Sequence, residues 1–247
     1  MKTIKYIAAA VLCLLSLTTN AQTTMQVELE GGKLVEYPVS SVKSIKWVAT
    51  APDKSPSGAE AVDLGLSVKW ANMNVGATAP EAYGDYFAWG ETAAKSNYSW
   101  DTYNLCNGSE NTMTKYCLFS TFGTVDDKTA LEFSDDAARV NWGGLWRMPT
   151  KEELDELRKM CTWMWTSQNG VSGYKVVGPN GNFIFLPVAG YRYESILDEE
   201  GSDAYYWSSS LSAGGSDSAY ILLFGSANVR ILNNDRFYGL SVRAVCP

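Results

Sequence analysis

Helical periodicity is confined to two short stretches of this 247-residue chain, and this scarcity limits the fold more than any other feature. From Ala61 onward the sequence is dense in aromatic residues and glycine. The segments "YKVV" and "FIFLPV" flank the turn "GPNG", and "AYILLF" and "VRIL" flank "GSAN", which predicts two β-hairpins. "GLSVRAVC", near the C-terminus, alternates as a strand with one face in the core. The pattern predicts an α+β domain of small antiparallel sheets.

The two helical stretches lie in the middle of the chain. Thr150 and Glu153 form a T-x-x-E capping box. A hydrophobic face then follows at helical spacing, made of Leu154, Leu157 and Cys161. The second short helix is expected around residues 135–140, with Ser134 as its cap.

The first 21 residues have the composition of a secretory signal peptide. Lys2 and Lys5 precede the apolar run of residues 6–17, and the small residue Ala21 marks the expected cleavage site. No later segment approaches the roughly 18 apolar residues that a transmembrane helix needs. We therefore expect export to the periplasm, the cell surface or the medium, without a transmembrane segment.

Three regions follow the predicted signal peptide. Residues 22–50 alternate polar and apolar residues around Gly31 and Gly32, which predicts an N-terminal β-hairpin segment. Residues 51–60 are rich in proline and small residues and are typical of a linker. Residues 61–247 form the main domain. The similar segments "GLSVKW" and "GLSVRA" at its two ends could pair as strands and bring the termini together.

Charge and composition exclude several classes of function. The chain has 20 basic and 27 acidic residues, and such a balance disfavours nucleic-acid binding, which depends on clustered Lys and Arg. It contains no histidine, which removes Ser-His-Asp and Cys-His catalysis as well as His-bound zinc. The scattered acids give no paired-carboxylate signature. We therefore expect a protein that is not an enzyme and has no cofactor.

Four cysteines follow the signal peptide: Cys106, Cys117, Cys161 and Cys246. In an oxidising compartment an even number is most simply read as two disulfides, and four cysteines allow three connectivities. No two of them have the C-x-x-C spacing typical of a metal site.

Several blocks, in order, resemble one known family. They are "VDLGLSVKWANMNVGA", "YGDYFAWGET", "DDAARVNWGGLWRMPTKEEL", "GYKVVGPNGNFIFLPVAGYR", "YYWSSS" and "GLSVRAVCP". This set resembles the Fibrobacter succinogenes major paralogous domain, which is abundant in exported proteins of gut Bacteroidetes. It is also similar to the C-terminal domain of a collagen-like bacterial adhesin. The resemblance spans residues 62–247 and implies a C-type-lectin-like fold.

The resemblance also implies a disulfide pattern. Cys161 with Cys246 would correspond to the bridge between helix and terminal strand of lectin-like folds, which leaves Cys106 with Cys117. The family commonly has a cysteine where this chain has Met73, so the usual pairing is altered here.

Some residues have both a binding and a scaffold interpretation. "NWGGLWRMPT" could hold an anion, but it lacks the lysine of a phosphate loop and is favoured as scaffold. Five tryptophans could stack on sugars, although core packing is favoured: Trp142, Trp146, Trp163, Trp165 and Trp207. The pairs 126–127 and 135–136 are aspartates that could ligate a structural calcium ion, but no EF-hand loop is present.

Three polar stretches between the framework blocks near the C-terminus are predicted to be loops, and they have the composition of a binding surface. Residues 191–204, 211–219 and 230–239 are rich in Tyr, Ser, Gly, Asn, Asp and Arg, as antibody combining sites are. In some relatives a retroelement diversifies such loops. We expect them to bind a carbohydrate or protein partner, with tyrosines stacking and arginines donating paired hydrogen bonds. The candidate residues are Tyr191, Tyr193, Arg230, Asn233, Asn234, Asp235, Arg236 and Tyr238.

Two other functions stay open at this point. The chain could be the structural subunit or tip of a surface appendage, with the N-terminal β-segment pairing to a neighbour's sheet edge. It could also be an enzyme, because the fold that the resemblance implies is distantly similar to the formylglycine-generating sulfatase-modifying domain. Those relatives use reactive cysteines.

Overall fold

The N-terminal part of the chain contributes two short strands. The computed structural model describes residues 24–28, 34–38 and 51–247. The predicted signal peptide lies outside the described residues. Strand β1 (Thr24–Glu28) pairs antiparallel with β2 (Leu34–Pro38), in the place of the predicted hairpin. The chain divides into two units, Met1–Ala49 and Thr50–Pro247, and β1 and β2 belong to the first.

The second unit contains only short helices. They are two 3-10 turns, Trp100–Thr102 and Phe133–Asp135, and two α-helices, α1 (Ala137–Trp142) and α2 (Lys151–Met160). None of the helices in the described residues is long and apolar enough to cross a membrane.

Helix α2 follows its sequence pattern closely. The hydroxyl of Thr150 accepts from the Glu153 N–H, and Glu153 accepts from the Thr150 N–H, so the predicted capping box is confirmed. Leu154 and Leu157 are buried on the inner face of the helix. Cys161 is the C-terminal cap, one residue past the end of α2.

Helix α1 begins at a different residue from the one predicted. Ser134 belongs to the 3-10 turn, and the cap is Asp136, whose Oδ1 accepts from the Arg139 N–H at 2.9 Å. The other carboxylate oxygen accepts from the Met148 N–H at 2.8 Å. Asp136 is therefore the better cap, because its two oxygens join the helix to the segment ahead of α2.

Most of the regular secondary structure in the described part of the second unit is β-strand, and all but one of the strand ladders are antiparallel. They are β3 (Ala61–Val62), β4 (Lys69–Ala71), β5 (Thr162–Gln168), β6 (Val171–Val177), β7 (Phe183–Pro187), β8 (Ala189–Tyr193), β9 (Ile196–Glu200), β10 (Asp203–Leu211), β11 (Ser218–Gly225), β12 (Asn228–Asp235) and β13 (Val245–Cys246). The sheet orders are β12-β11-β10-β8-β9, β13-β4-β3 and β5-β6-β7. The architecture is mostly β with few helices, within the predicted α+β class.

Both predicted hairpins are confirmed. In the first, β6 and β7 pair across the "GPNG" turn, with Val177 opposite Phe183. In the second, β11 and β12 pair across "GSAN", with Gly225 opposite Asn228. Each depends on a short turn between two apolar runs, which is why local sequence was sufficient.

The two ends of the second unit meet, as the similar terminal segments predicted. Strand β13 pairs with β4, with Val245 opposite Trp70. The preceding segment differs from the expectation of a single buried face, because Ser241 and Arg243 are as buried as Leu240. Neighbouring elements cover both of its sides, so alternation of polar and apolar residues did not indicate alternation of exposure.

The five-stranded sheet separates two hydrophobic clusters. On β10, Trp207 belongs to one cluster and the adjacent Tyr206 to the other, and Ile221 and Leu222 on β11 divide in the same way. This division follows because successive side chains of a strand point to opposite faces.

Three of the five tryptophans predicted for the core are fully buried: Trp142, Trp146 and Trp207. The other two lie on β5. Trp163 is half-buried against Tyr174 and Phe224. Trp165 is 39% exposed, so the core prediction is wrong for this residue. Its position on an edge strand leaves its ring uncovered on one side.

Residues 51–60, the predicted linker, are docked on the second unit rather than free. The Lys54 N–H donates to the Trp142 carbonyl, and the Gly144 N–H donates to the Ala51 carbonyl at 2.9 Å. A Cβ on Gly143 would collide with the Pro52 carbonyl oxygen. Proline and small residues here reflect close backbone packing.

Candidate functional site

The block "NWGGLWRMPT" is scaffold. Arg147 donates to both carboxylate oxygens of Glu153, at 2.7 and 2.5 Å, and is therefore neutralised within the protein. Burial opposes ionisation of Glu153, but the hydrogen bonds from Arg147 outweigh it and lower the pKa of this carboxyl group. The two glycines serve the docking of residues 51–60. These contacts favour the scaffold interpretation of the block over anion binding.

Three of the predicted binding residues come together at one surface. The ring of Tyr238 lies 5.5 Å from that of Tyr191 and 5.4 Å from that of Tyr193. Tyr205 extends the group, with its ring 5.1 Å from Tyr191. We call these four residues the tyrosine face. Tyr193 is its most open member, at 40% exposure.

Backbone pairing explains why distant segments meet there. Tyr191 and Tyr193 are two apart on β8 and share a face. Between them, Arg192 exchanges two backbone hydrogen bonds with Gly239, at 2.8 and 2.9 Å, which places Tyr238 beside the strand. Gly239 carries no Cβ, and one would lie 2.6 Å from the ring of Tyr98.

Two carboxylates of β9 border the tyrosine face. The Tyr191 hydroxyl donates to Asp198 at 3.2 Å, and the Tyr205 hydroxyl donates to Glu199 at 2.5 Å. Burial and the Asp198 hydrogen bond raise the pKa of Tyr191 to about 12. The pKa of Tyr205 is also raised, by burial and by Glu199. Both phenols stay neutral hydrogen-bond donors at physiological pH.

Gly190 permits this approach of β9. It has φ +62°, and a Cβ there would collide with the Asp198 carbonyl oxygen. The close pairing of β8 with β9 places Tyr191 opposite Asp198.

Arg230 lies on the same face of the sheet as Tyr205, but at its far edge. The ladder register places Tyr205 opposite Leu223 and Leu223 opposite Arg230. Arg230 is exposed on the edge strand β12. Three strand spacings, roughly 14 Å, separate its strand from that of Tyr191. It can contribute to a large partner surface but does not contact the tyrosines.

The prediction that Arg236 binds a ligand is wrong. The residue is 0% exposed, and its guanidinium donates to the Tyr103 hydroxyl at 2.8 Å. Three further hydrogen bonds go to the carbonyls of Lys115, Tyr116 and Ser216. The guanidinium also lies over three aromatic rings, with the closest centroid, of Trp89, at 4.9 Å. Arg236 ties loops together inside the domain.

The prediction that the binding residues lie in loops is wrong for most of them: Tyr191 and Tyr193 lie on β8, and Arg230, Asn233, Asn234 and Asp235 lie on β12. The Asn233 amide donates to the Ser212 hydroxyl at 3.1 Å, and the Asn234 side chain accepts from the Asp235 N–H at 3.1 Å. Asp235 is half-buried beside Tyr238. Burial, with the charges of Asp217 and Glu110, raises its pKa.

All four cysteines in the described part of the chain are free thiols. The pairs that the resemblance implies, Cys161 with Cys246 and Cys106 with Cys117, are therefore not formed in this structure. The Cys106 thiol donates instead to the Trp100 carbonyl at 3.3 Å, and Cys117 donates to its near neighbour Phe119 at 3.2 Å. Each buried thiol thus has a backbone acceptor.

Three of the four aspartates considered for calcium bind groups of the protein. Asp126 accepts from the N–H groups of Tyr116 and Cys117, and Asp135 forms an ion pair with Lys115 at 2.5 Å. Asp136 caps helix α1, as described above. Within residues 51–247 and the two described N-terminal strands, no three acidic or cysteine side chains cluster as metal ligands would.

Sequence reasoning missed Tyr205, and it placed Asp198 and Glu199 in a candidate binding segment without selecting them as site residues. Tyr205 belongs to "YYWSSS", which was attributed to the framework. Alternation on β10 is the signal that could have separated it from the buried Tyr206.

Comparison with known proteins assigns neither a family nor a function to the chain. No protein-family model matches the chain, and neither a curated protein nor a solved structure matches it.

Proposed function

We propose that this protein is an exported, non-catalytic binding module that presents the tyrosine face to a carbohydrate or protein partner. Its exported character rests on the signal-peptide sequence, and the absence of histidine argues against most acid–base chemistry. The C-type-lectin-like fold is part of the proposal and rests on the sequence blocks that resemble that family.

One observation carries the binding role: four tyrosines from three separate segments form one cluster at the surface. Tyr191 and Tyr193 come from β8, Tyr205 from β10 and Tyr238 from the segment after β12. Tyrosine provides rigid amphipathic area at low conformational cost, as in antibody combining sites. Clustering of such residues at a surface is typical of the energetic centre of an interface.

The test is binding of the mature chain, residues 22–247, to an array of host and microbial glycans and matrix proteins. A double variant, Tyr193→Ala with Tyr238→Ala, removes the exposed part of the face. Phe183→Ala is the matched control, because it removes another exposed ring, on β7. A partner that binds the wild type and the control but not the double variant would support the proposal. A partner that the wild type, the control and the double variant all bind equally would refute the placement of the binding site on the tyrosine face.

An appendage subunit is the second candidate, favoured by the open edge of the β5-β6-β7 sheet. Strand β5 pairs only with β6 among the described strands, and most of its residues are exposed. Its sequence, "TWMWTSQ", has no charge or proline to block strand addition. If the N-terminal β-segment pairs to such an edge of a neighbour, deleting residues 22–47 should abolish assembly. Unchanged assembly would exclude this function.

A further inference from the structure

Several acidic residues surround the tyrosine face. Four acidic residues lie beside it: Asp198 and Glu199 accept hydrogen bonds from its phenols, Asp203 shares a strand face with Tyr205, and the Asp235 carbonyl accepts from the Tyr238 N–H. In the part of the chain that the structure describes, none of the four forms an ion pair. The face thus combines exposed aromatic rings with uncompensated negative charge.

Asp235 is one of two carboxylates here, with Asp203, that have no hydrogen-bond donor among the described residues. Its carboxylate accepts no hydrogen bond from any described residue, although it is half-buried beside Tyr238. A half-buried carboxylate without a partner is destabilised by lost hydration. A cation bound next to it would offset that cost, whereas a neutral ligand would offset less and an anion would add to it.

The nearby arginines do not neutralise the face. The Arg192 side chain lies on the opposite side of β8, with its guanidinium 5.1 Å from the centre of the Tyr86 ring. The Arg236 side chain is fully buried inside the domain. Arg230 lies three strands away from Tyr191. None of these three arginines therefore brings its charge to the exposed rings of the tyrosine face.

Electron-rich tyrosine rings and carboxylates together select for cations. Ammonium and guanidinium groups bind over aromatic faces and form charge-assisted hydrogen bonds to carboxylates. A sialylated or sulfated glycan would be repelled, because like charges brought together at an interface disfavour binding.

We propose that the tyrosine face binds a lysine- or arginine-bearing segment of a partner polypeptide. This inference rests on the proposed binding function and specifies the chemistry of the partner. Lysine or arginine side chains lie over Tyr193 and Tyr238, and their charged ends reach Asp198 or Asp235. A neutral carbohydrate is the competing occupant.

The probe is a deca-lysine peptide, titrated against the mature chain by calorimetry, beside deca-glutamate and a neutral manno-oligosaccharide. Asp198→Asn with Glu199→Gln removes two charges from the face and keeps hydrogen-bonding atoms. Glu60→Gln with Glu152→Gln removes the same charge from exposed positions elsewhere. We expect the first variant to bind deca-lysine roughly tenfold more weakly and the second to match the wild type, apart from a small screened effect.

A second pair of variants tests the role of the rings. Tyr193→Ala should weaken binding severalfold, whereas Tyr193→Phe should preserve it, because a phenyl ring still attracts a cation. The Tyr193 hydroxyl forms no hydrogen bond with any described residue, so the change to Phe leaves the fold intact.

Each other outcome overturns the inference in a distinguishable way. Equal weakening in both charge variants would mean that deca-lysine follows only the overall negative charge. Binding of the manno-oligosaccharide but not of deca-lysine, lost in Tyr193→Ala, would refute the cationic partner and keep the binding function. If no ligand of the array or of this set depends on the tyrosine face, both proposals are wrong.

Discussion

Replacing the buried Arg236 by methionine should strongly destabilise the second unit. Four hydrogen bonds are lost, each worth about 1 kcal/mol net, and three buried carbonyls lose a donor. Loss of the contacts with three rings adds about 1 to 2 kcal/mol. Among the described residues Arg236 forms no ion pair, so removing its charge returns part of a desolvation cost of several kcal/mol. We expect a net loss of about 3 kcal/mol in the free energy of unfolding.

Urea unfolding followed by tryptophan fluorescence measures this change, because the Trp89 ring lies next to the guanidinium. Arg230→Met is the matched control, since Arg230 is exposed on β12 and its loss should change stability by less than about 0.5 kcal/mol. A loss below about 1 kcal/mol for Arg236→Met, with no change in the slope of the urea dependence, would refute the framework role. Loss of partner binding in a fully stable Arg236→Met protein would instead restore the original site assignment.

Three further changes test separate parts of the structure. Gly239→Ala should destabilise the protein by about 1 to 3 kcal/mol and displace Tyr238, because the new methyl group would meet the Tyr98 ring; unchanged stability and partner binding would refute this packing. Glu153→Gln should cost about 2 kcal/mol at pH 7. Because the folded-state pKa of Glu153 is lowered, its contribution exists above the unfolded value and is lost as pH falls through the folded pKa, so wild type and variant should converge in acid unfolding experiments. In the reduced, folded protein, burial raises the pKa of Cys161 to about 11, so its alkylation rate should still increase between pH 8 and 10, as measured by mass spectrometry. The two thiols that should resist alkylation until the protein unfolds are Cys106 and Cys117; rapid labelling of either would favour the enzymatic alternative.

The elements that sequence predicted well are those whose cause is local. The capping box of α2 needs only Thr150 and Glu153 three residues apart, and each hairpin needs only a turn between two apolar runs. The cap of α1 was misplaced because the advantage of Asp136 over Ser134 comes from a second hydrogen bond, to the distant Met148 N–H. Local pattern cannot reveal a partner twelve residues away.

In the candidate site, too, sequence predicted some features, and others depended on distant residues. Tyr191, Tyr193 and Tyr238 were selected from composition, and the structure brings them together. Tyr205 was missed because its block resembles framework. Composition identified which residue types could bind, but the pairing of Arg192 with Gly239 decided that they form one surface.

Sequence alone determined the two hairpins, the helix start at Thr150 and the absence of histidine, because these depend on residue identity and short spacing. Only the tertiary structure distinguished Arg230 from Arg236, six residues apart in one polar segment. One stays on an edge strand in water, while the other enters the domain where the chain turns back across the sheet and meets three carbonyls and a phenol. Burial of that kind depends on which distant loops converge around a side chain, and no local pattern encodes it.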